Sequence, residues 1–463
     1  MFDKNKIFTI DFGTTHTTMM AAEVEKDKVK VLSVLQSEEK TVVEKNPEQM
    51  SLPLEQTATL RSCVKHGVVV QASDLAHQIQ SLSKKMNDAL KMKKGGKIDS
   101  MFVSVNAKTM KCVKHTVSRS FPRPVAINDD ILSEMEDECR QMFTQGETEV
   151  YHIITIDYNL DNEQYKTPPD MKGRNLQVTY RVVIGNMNIK KKLLDIINHT
   201  PEITFKNFMP LSMEAIAEAV LSQEECDDGV ALINFGATTT TLALYSEGEL
   251  DTLMVVPLGS YNLTKDIRTL GISEANAEKV KITYGVAMES LLEKNTTLRI
   301  TSVQPTAPSV EINTSFVAKI IEARLNEIFA LIFEVLENNK NKIGAGIVLS
   351  GCGSKLKGFN TYLKKKTDLK ITFGSHADKL DKKTNTKFAD PFYSQLIGMS
   401  LLISSYKKNN PTGDADISMI WKKNSIKTAI KTAVKTAVKT VEEVGDNYFN
   451  NEPSLSFGND NPN

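Results

Sequence analysis

Apolar and polar positions along this chain follow two periods. Residues 6–23 and 28–35 are dense in strand formers and broken by a turn at Glu25-Lys26-Asp27, which predicts a run of strands. Residues 40–70 are irregular and end in a short strand at 67–71. Residues 73–91 take the helical period, with Ser73 as a cap. Alternation returns at 100–106 and 111–118. Asn128-Asp129 caps a predicted helix through Arg140, and strands follow at 151–159 and 176–184 around a Pro/Gly turn at 168–173. Helices are predicted at 188–198, 211–222, 264–270, 274–284, 316–338 and 394–404, with a buried strand at 346–350. Strands and helices interleave, so the fold class is α/β.

One phrase occurs twice. Ile10-Asp11-Phe12-Gly13-Thr14-Thr15-His16-Thr17-Thr18 returns as Ile233-Asn234-Phe235-Gly236-Ala237-Thr238-Thr239-Thr240-Thr241. Each copy follows an apolar run and precedes more strand formers, so each reads as strand, tight turn, strand. Such a hairpin offers backbone N–H groups and small hydroxyls to an anion. Two copies predict two similar halves gripping one polyphosphate. Asp11, where its strand ends, faces a phosphate-bound Mg²⁺ through water, since Mg²⁺ prefers oxygen ligands and keeps its waters. Gly13, Thr14 and Thr15 supply the close backbone approach and the donors. A third element, Gly346 through Phe359, reads as strand, glycine turn and helix start. Gly351, Gly353 and Ser354 there would let a flat ring approach the backbone.

Composition narrows the class without changing the picture. The 463 residues allow two to four domains at about 150 residues each. Lys+Arg and Asp+Glu are both 57, which gives no argument for nucleic acid. Five cysteines are scattered without a CxxC pair and fit buried free thiols in a reducing compartment. No run of 18 apolar residues predicts a membrane span, and the charged N-terminus does not read as a secretion signal.

The three glycine elements, in this order, resemble the two phosphate motifs and the adenosine motif of the actin–hexokinase–chaperone ATPase superfamily. Within it, the stretch Pro257 to Ile267 followed by Ala277 to Gly285 is similar to the FtsA family of actin-like bacterial division proteins. So are Pro169-Asp170-Met171-Lys172-Gly173-Arg174-Asn175-Leu176 and Ile320 to Glu327. The resemblance covers roughly residues 5–405. It implies an actin-like two-lobed fold with mixed five-stranded-type sheets flanked by helices, plus an inserted strand–helix–strand subdomain. The expected division is lobe I at 1–92 and 186–206 with a closing helix at 381–408, and the insertion at 93–185. Lobe II then takes 207–258 and 315–380, with a small subdomain at 259–314. The resemblance further implies ATP and Mg²⁺ as cofactors, Glu278 and Lys281 near ribose and adenine, and Glu214 of the connecting helix orienting water. It implies FtsZ, other division proteins, further copies of the chain and the anionic inner membrane as partners, at the cytoplasmic face of the division septum. Asn234 stands where the second motif normally has Asp, Ala237 where Gly is common, and His16 where the family often has Lys. These departures point to a nucleotide-binding scaffold with at most weak ATPase activity. The alternatives are a sugar- or acetate-kinase-type phosphotransferase and a pilus-assembly actin homologue.

Beyond a linker at 409–416 lies an unusual tail. Ile417, Ile420 and Trp421 (the only Trp) share one helix face. A four-residue repeat then places Ile426, Ile430, Val434 and Val438 over an arc of about 120°. Lys422, Lys423, Lys427, Lys431, Lys435 and Lys439 carry no acidic partner before Val441. Residues 417–444 therefore predict a basic amphipathic helix suited to an anionic leaflet. Residues 445–463, rich in Asn and Ser, read as a disordered tail.

Overall fold

The structure, a computed structural model, describes residues 6–37, 63–91, 98–198, 200, 203–205, 210–300 and 309–409. The predicted tail helix at 417–444, with all its membrane-facing residues, lies outside the described residues, as does 445–463.

Lobe I opens with β1 (Lys6–Phe12), β2 (Thr17–Glu25) and β3 (Lys28–Gln36). A small hairpin follows, β4 (Val64–Lys65) and β5 (Val68–Val69), then α1 (Ala72–Ala89) and β6 (Ile98–Val103). The inserted subdomain comprises β7 (Lys111–Ala126), α2 (Asp129–Phe143), β8 (Thr148–Leu160), β9 (Glu163–Tyr165) and β10 (Lys172–Asn186). Next come α3 (Met187–Asn198), β11 (Ile203–Phe205), α4 (Ser212–Val220) and α5 (Gln223–Asp228). Lobe II contains β12 (Val230–Phe235), β13 (Thr240–Ser246), β14 (Glu249–Val256), α6 (Ser260–Arg268), α7 (Glu274–Tyr284), β15 (Thr297–Ile300) and β16 (Val310–Asn313). It continues with α8 (Thr314–Asn338), β17 (Gly346–Ser350), α9 (Phe359–Thr367) and β18 (Ile371–Phe373); α10 (Ser394–Asn409) closes the described chain.

Lobe I is built on a five-stranded sheet of order β11-β6-β1-β2-β3, with β6 and β11 parallel to β1 and the β1–β3 meander antiparallel. Lobe II repeats the plan as β18-β17-β12-β13-β14, again with a meander next to parallel strands. The repeated sequence phrase thus marks a repeated structural unit. This is the α/β, two-lobed, actin-like architecture that the resemblance implied.

Residues 100–106, read from sequence as the first strand of the insertion, belong to lobe I instead. Phe8, Thr9 and Ile10 pair with Met101, Phe102 and Val103, and β6 lies between β1 and β11. Alternation alone could not tell which sheet would take this strand. The insertion proper starts at β7, whose sheet runs on from lobe II through one pair, Met254 with Lys111.

One face of the lobe II sheet carries its own apolar core, and a second cluster runs from Ile10, Leu75 and Ile79 of lobe I through Ile154 and Val183 of the insertion to Val230, Leu232 and Leu253 of lobe II. In lobe II, α8 lays Ile321, Leu325, Ile328, Phe329 and Ile332, all fully buried, across the sheet. Helical spacing predicted this face, which packs into the same cluster as Ile233, Phe235 and Leu349 of the sheet. In lobe I, α4 and α10 pack together, and Met399 and Ile403 meet Ile7, Phe102 and Ala215.

Candidate functional site

The two repeated hairpins face one another across a cavity of about 910 Å³ between the lobes. In the first, Asp11 pairs with Thr18 and Phe12 with Thr17 at the mouth of the β1–β2 turn. In the second, Asn234 pairs with Thr241 and Phe235 with Thr240, and the Gly236 N–H donates to the Thr239 carbonyl at 2.9 Å. The tips touch: Thr14 Oγ1 and Thr238 Oγ1 lie 2.7 Å apart.

Packing beneath the second hairpin explains its placement. Phe235 points into the lobe II core, with ring centroids 5.4 Å from Phe329 and 5.1 Å from Phe359. The opposite face of the strand is thereby left to the cavity, because successive strand residues point to opposite sides. The start of α6 is tied to the same turn, Ser260 N–H donating to the Gly236 carbonyl and Tyr261 N–H to that of Ala237.

Asp11 reaches the cavity wall from the end of β1. Its Oδ1 accepts from Gln395 Nε2 at 2.7 Å, and the same amide nitrogen lies 2.9 Å from Ser104 Oγ. Burial pushes the Asp11 carboxyl up to about 6, and the Gln395 hydrogen bond pulls the other way without cancelling it. A carboxylate held in a desolvated wall, with one oxygen fixed by an amide, is chemically suited to a hard divalent cation.

At the far end, β17 runs parallel to β12, with Ser350 opposite Asn234, and turns at Gly351. Gly351 has φ +82°, so the turn needs a residue without a β-carbon. Gly351, Cys352 and Gly353 line the cavity. Ser354 does not: it is buried, and its Oγ donates to the Gly351 carbonyl at 2.6 Å, bracing the turn from behind.

The opposite wall is α6 and α7. Lys281 Nζ donates to Glu278 Oε2 at 2.8 Å and to Thr264 Oγ1 at 2.9 Å, and Thr264 Oγ1 donates to Glu278 at 2.5 Å. Glu274, also in the lining, accepts from Tyr261 and lies 3.3 Å from Arg268.

Of the sequence-predicted residues, Asp11, Gly13, Thr14, Thr15, His16, Asn234, Gly236, Ala237, Thr238, Thr239, Glu278, Lys281, Gly351 and Gly353 all line this one cavity. Glu214 does not. It sits in the first turn of α4, where its Oε2 accepts from the Leu211 N–H at 3.0 Å, half of a capping box. Its other oxygen faces His152 Nδ1 of the inserted subdomain in a close, buried contact. The first residue of α4, Ser212, lines the cavity in its stead.

Sequence reading missed Gln395, Gln78 and Asn106. Gln78 accepts from Thr17 Oγ1 at 2.8 Å, and Asn106 Nδ2 donates to Thr241 Oγ1 at 3.0 Å. The one available signal was Gln395 itself, a polar residue in the first turn of a helix read as apolar.

Comparison with known proteins follows the same division. The family described as "Cell division protein FtsA" matches residues 231–398, and "SHS2 domain inserted in FTSA" matches residues 107–184. The second match starts just before β7, where the topology begins the insertion. Cell division protein FtsA of Pseudomonas aeruginosa is 28% identical over 301 residues, covering 64% of this chain and 70% of that protein. The protein of the same name from Borreliella burgdorferi is 25% identical over 437 residues, covering 92% of this chain and 97% of that protein. Among solved structures, the PilM–PilN type IV pilus biogenesis complex matches with a TM-score of 0.57 at 15% identity, over 85% of this chain and 97% of the other. MreB5 of Spiroplasma citri, solved bound to ADP, matches with a TM-score of 0.52 at 13% identity, over 89% of this chain and 99% of the other. Both structural likenesses concern the fold.

Proposed function

The chain belongs to the FtsA family of cell-division proteins, and from that premise we propose that it is an ATP-binding scaffold that assembles into filaments and tethers FtsZ filaments to the cytoplasmic membrane at the division septum. One observation carries the nucleotide part of this reading. Two Gly/Thr hairpins meet at Thr14 and Thr238 over a cavity that also takes in the Gly351 turn.

The phosphates of ATP would lie between the hairpins, on the backbone N–H groups around Gly13 and Gly236 and the hydroxyls of Thr14, Thr15, Thr238 and Thr239. His16 at the first hairpin has its ring edge-on to Phe392 at 6.5 Å. Adenine and ribose would lie between the Gly351–Gly353 turn and the Glu278–Lys281 pair. Asp11, held by Gln395, would carry Mg²⁺ through its waters, and the metal would supply charge neutralisation at the phosphates. The donor chemistry fits: raised to about 6, the desolvated carboxylate is still ionised at neutral pH, and a cation would offset its burial.

Turnover would be slow. The carboxylates lining the cavity among the described residues are Asp11, Glu274 and Glu278. Glu274 and Glu278 are engaged by Tyr261 with Arg268 and by Lys281. Asp11 is left to the metal, and Asn234 adds an amide where a second carboxylate would stand. A kinase-type reading needs a base at the γ-phosphate, and this lining supplies none.

Membrane attachment rests on the sequence of the tail, whose lysines would add about 1 kcal/mol each near an anionic surface. Calorimetric titration of the full chain with Mg-ATP tests the nucleotide reading. The expected result is saturable binding that raises thermal stability; no binding removes the reading.

A further inference from the structure

Between β18 and α10 the chain makes an excursion that one side chain closes at the neck. Leaving lobe II, it reaches the outer strand of lobe I, where Leu380 bridges to Val29 and the Asp381 N–H donates to the Val29 carbonyl at 2.9 Å. It then returns, and Pro391, Phe392 and Gln395 line the cleft. His376 stands at the start of the excursion and is fully buried. Its Nε2 lies 2.6 Å from the Phe388 carbonyl oxygen and its Nδ1 lies 3.1 Å from Ser394 Oγ. A carbonyl oxygen can only accept, so Nε2 carries the proton. Burial pushes the ring below the ordinary imidazole value, and the Phe388 hydrogen bond pulls the other way without cancelling it. The neutral ring leaves Nδ1 bare, and it accepts from the Ser394 hydroxyl. Ser394 is the first residue of α10 and is itself buried. The next residue is Gln395, whose amide nitrogen holds Asp11 at 2.7 Å and Ser104 at 2.9 Å. A second tie on the excursion, Lys355 with Asp390, is part-exposed, and ion pairs in contact with water hold little.

We infer that His376 is a positioning residue for Asp11: its two buried bonds clamp the start of α10, so that Gln395 meets the Asp11 carboxylate in one fixed geometry. One tautomer does both jobs, giving a proton to Phe388 and taking one from Ser394. A hydroxyl held this way fixes the first turn of the helix, and that turn aims the side chain one residue on. With the neck loosened, Gln395 is free to leave Asp11, and Asp11 offers its oxygens to a cation in several orientations instead of one. The effect falls on the metal rather than on adenine or ribose, whose contacts would lie on α6, α7 and the Gly351 turn. The inference rests on the nucleotide reading above, in which Asp11 carries Mg²⁺ through its waters. It adds a residue that lies outside the cavity lining altogether.

The test is the ratio of ATP affinity in excess Mg²⁺ to that in EDTA, measured calorimetrically on the full chain, with urea melts to show that each variant is folded. His376→Gln puts an amide N–H near the position of Nε2 and nothing at Nδ1, whereas His376→Asn puts a carbonyl oxygen near Nδ1 and leaves Phe388 without its donor. Ser394→Ala removes the hydroxyl alone and keeps the histidine. The ratio is expected to fall about tenfold in His376→Gln and Ser394→Ala, the worth of one net hydrogen bond, and to stay within about threefold of wild type in His376→Asn. Affinity in EDTA should hold in all three. In a Gln395→Ala background, His376→Gln should have no further effect, because a residue that acts through another adds nothing once the other is gone. A Ser394→Ala ratio equal to wild type overturns the inference. So does His376→Asn as impaired as His376→Gln, or a His376→Gln effect that persists without Gln395. A histidine that only stabilises the fold lowers the urea midpoint and leaves the ratio alone, which overturns it too. Wild type that binds ATP equally with and without Mg²⁺ removes the metal reading of Asp11 and this inference with it, and wild type that binds no ATP removes the nucleotide reading itself.

Discussion

A β-carbon added to Gly351 would stand 2.4 Å from Asn234 Oδ1 and 2.6 Å from the Phe235 carbonyl oxygen. The Gly351 turn and strand β12 are therefore in contact through a position that only glycine fills. Gly351→Asp must strain a φ of +82° and push this strand aside. The expected cost is about 1–3 kcal/mol of stability from the backbone alone, and at least about tenfold in ATP affinity. Urea unfolding and calorimetric titration read the two effects separately.

Asn234 itself is the next target. An aspartate there would restore a second carboxylate opposite Asp11. Wild-type turnover is expected well below the roughly 1–100 per second of kinases, and Asn234→Asp should raise it. A fast wild type, or a variant slower than wild type in a steady-state phosphate-release assay, contradicts the scaffold reading.

Asp11 sets a pH dependence whose sign follows from its environment. Its folded-state value, about 6, lies above the ordinary 3.8 because burial disfavours the charge. Between these values the folded state binds the proton more tightly than the unfolded chain, so stability falls as pH rises from about 4 to 6. About two units correspond to at most about 3 kcal/mol, and less because Asp11 keeps one side toward the cavity. Asp11→Asn should flatten this decline and leave the protein more stable at pH 7, while weakening Mg-ATP binding. Urea melts at pH 4, 5, 6 and 7 check the first part, and titration with Mg-ATP at pH 7 the second.

The Glu214–His152 pair gives a prediction opposite to the one its sequence position suggests. Removing the Glu214 carboxylate takes away its bond to the Leu211 N–H at the start of α4 and its buried contact with His152, at a cost of about 1–3 kcal/mol. Glu214→Ala should therefore lower the urea midpoint and leave turnover per folded molecule unchanged. Unchanged stability with reduced turnover would return Glu214 to a water-orienting role.

What was legible in the sequence was what is local. Each hairpin carries its strand, glycine and threonines within ten residues, and the apolar face of α8 is written in helical spacing. The cross-chain partners were not. Gln395 reaches Asp11 across 384 positions and His66 reaches Thr238 across 172, and neither belongs to a motif. Glu214 misled because a helix N-terminus attracts an acid for capping as readily as for catalysis. Ser354 misled because a turn needs bracing as well as lining.

The tail is testable without the fold. Truncation after Pro411 removes the six lysines, Trp421 and the Ile/Val repeat. It should abolish co-sedimentation with anionic liposomes and preserve Mg-ATP binding. Attraction of this kind fades within a Debye length of about 8 Å, so raised salt should weaken binding by the full chain. A truncated core that still pellets with vesicles would assign the membrane contact elsewhere.

The nine-stranded sheet of lobe II and the insertion has an uneven seam. On either side strands zip over long registers, β7 with β10 from Lys111 to Ala126 and β12 with β13 along the whole of β12. Between β14 and β7 one backbone pair, Met254 with Lys111, joins the halves, helped by the Arg181–Asp251 ion pair. The seam is packed all the same: Ile154 and Val183 of the insertion share one buried apolar cluster with Tyr245, Leu250 and Leu253 of lobe II. The insertion leaves the chain from lobe I yet leans on lobe II, and buried side chains more than backbone ladder hold it there.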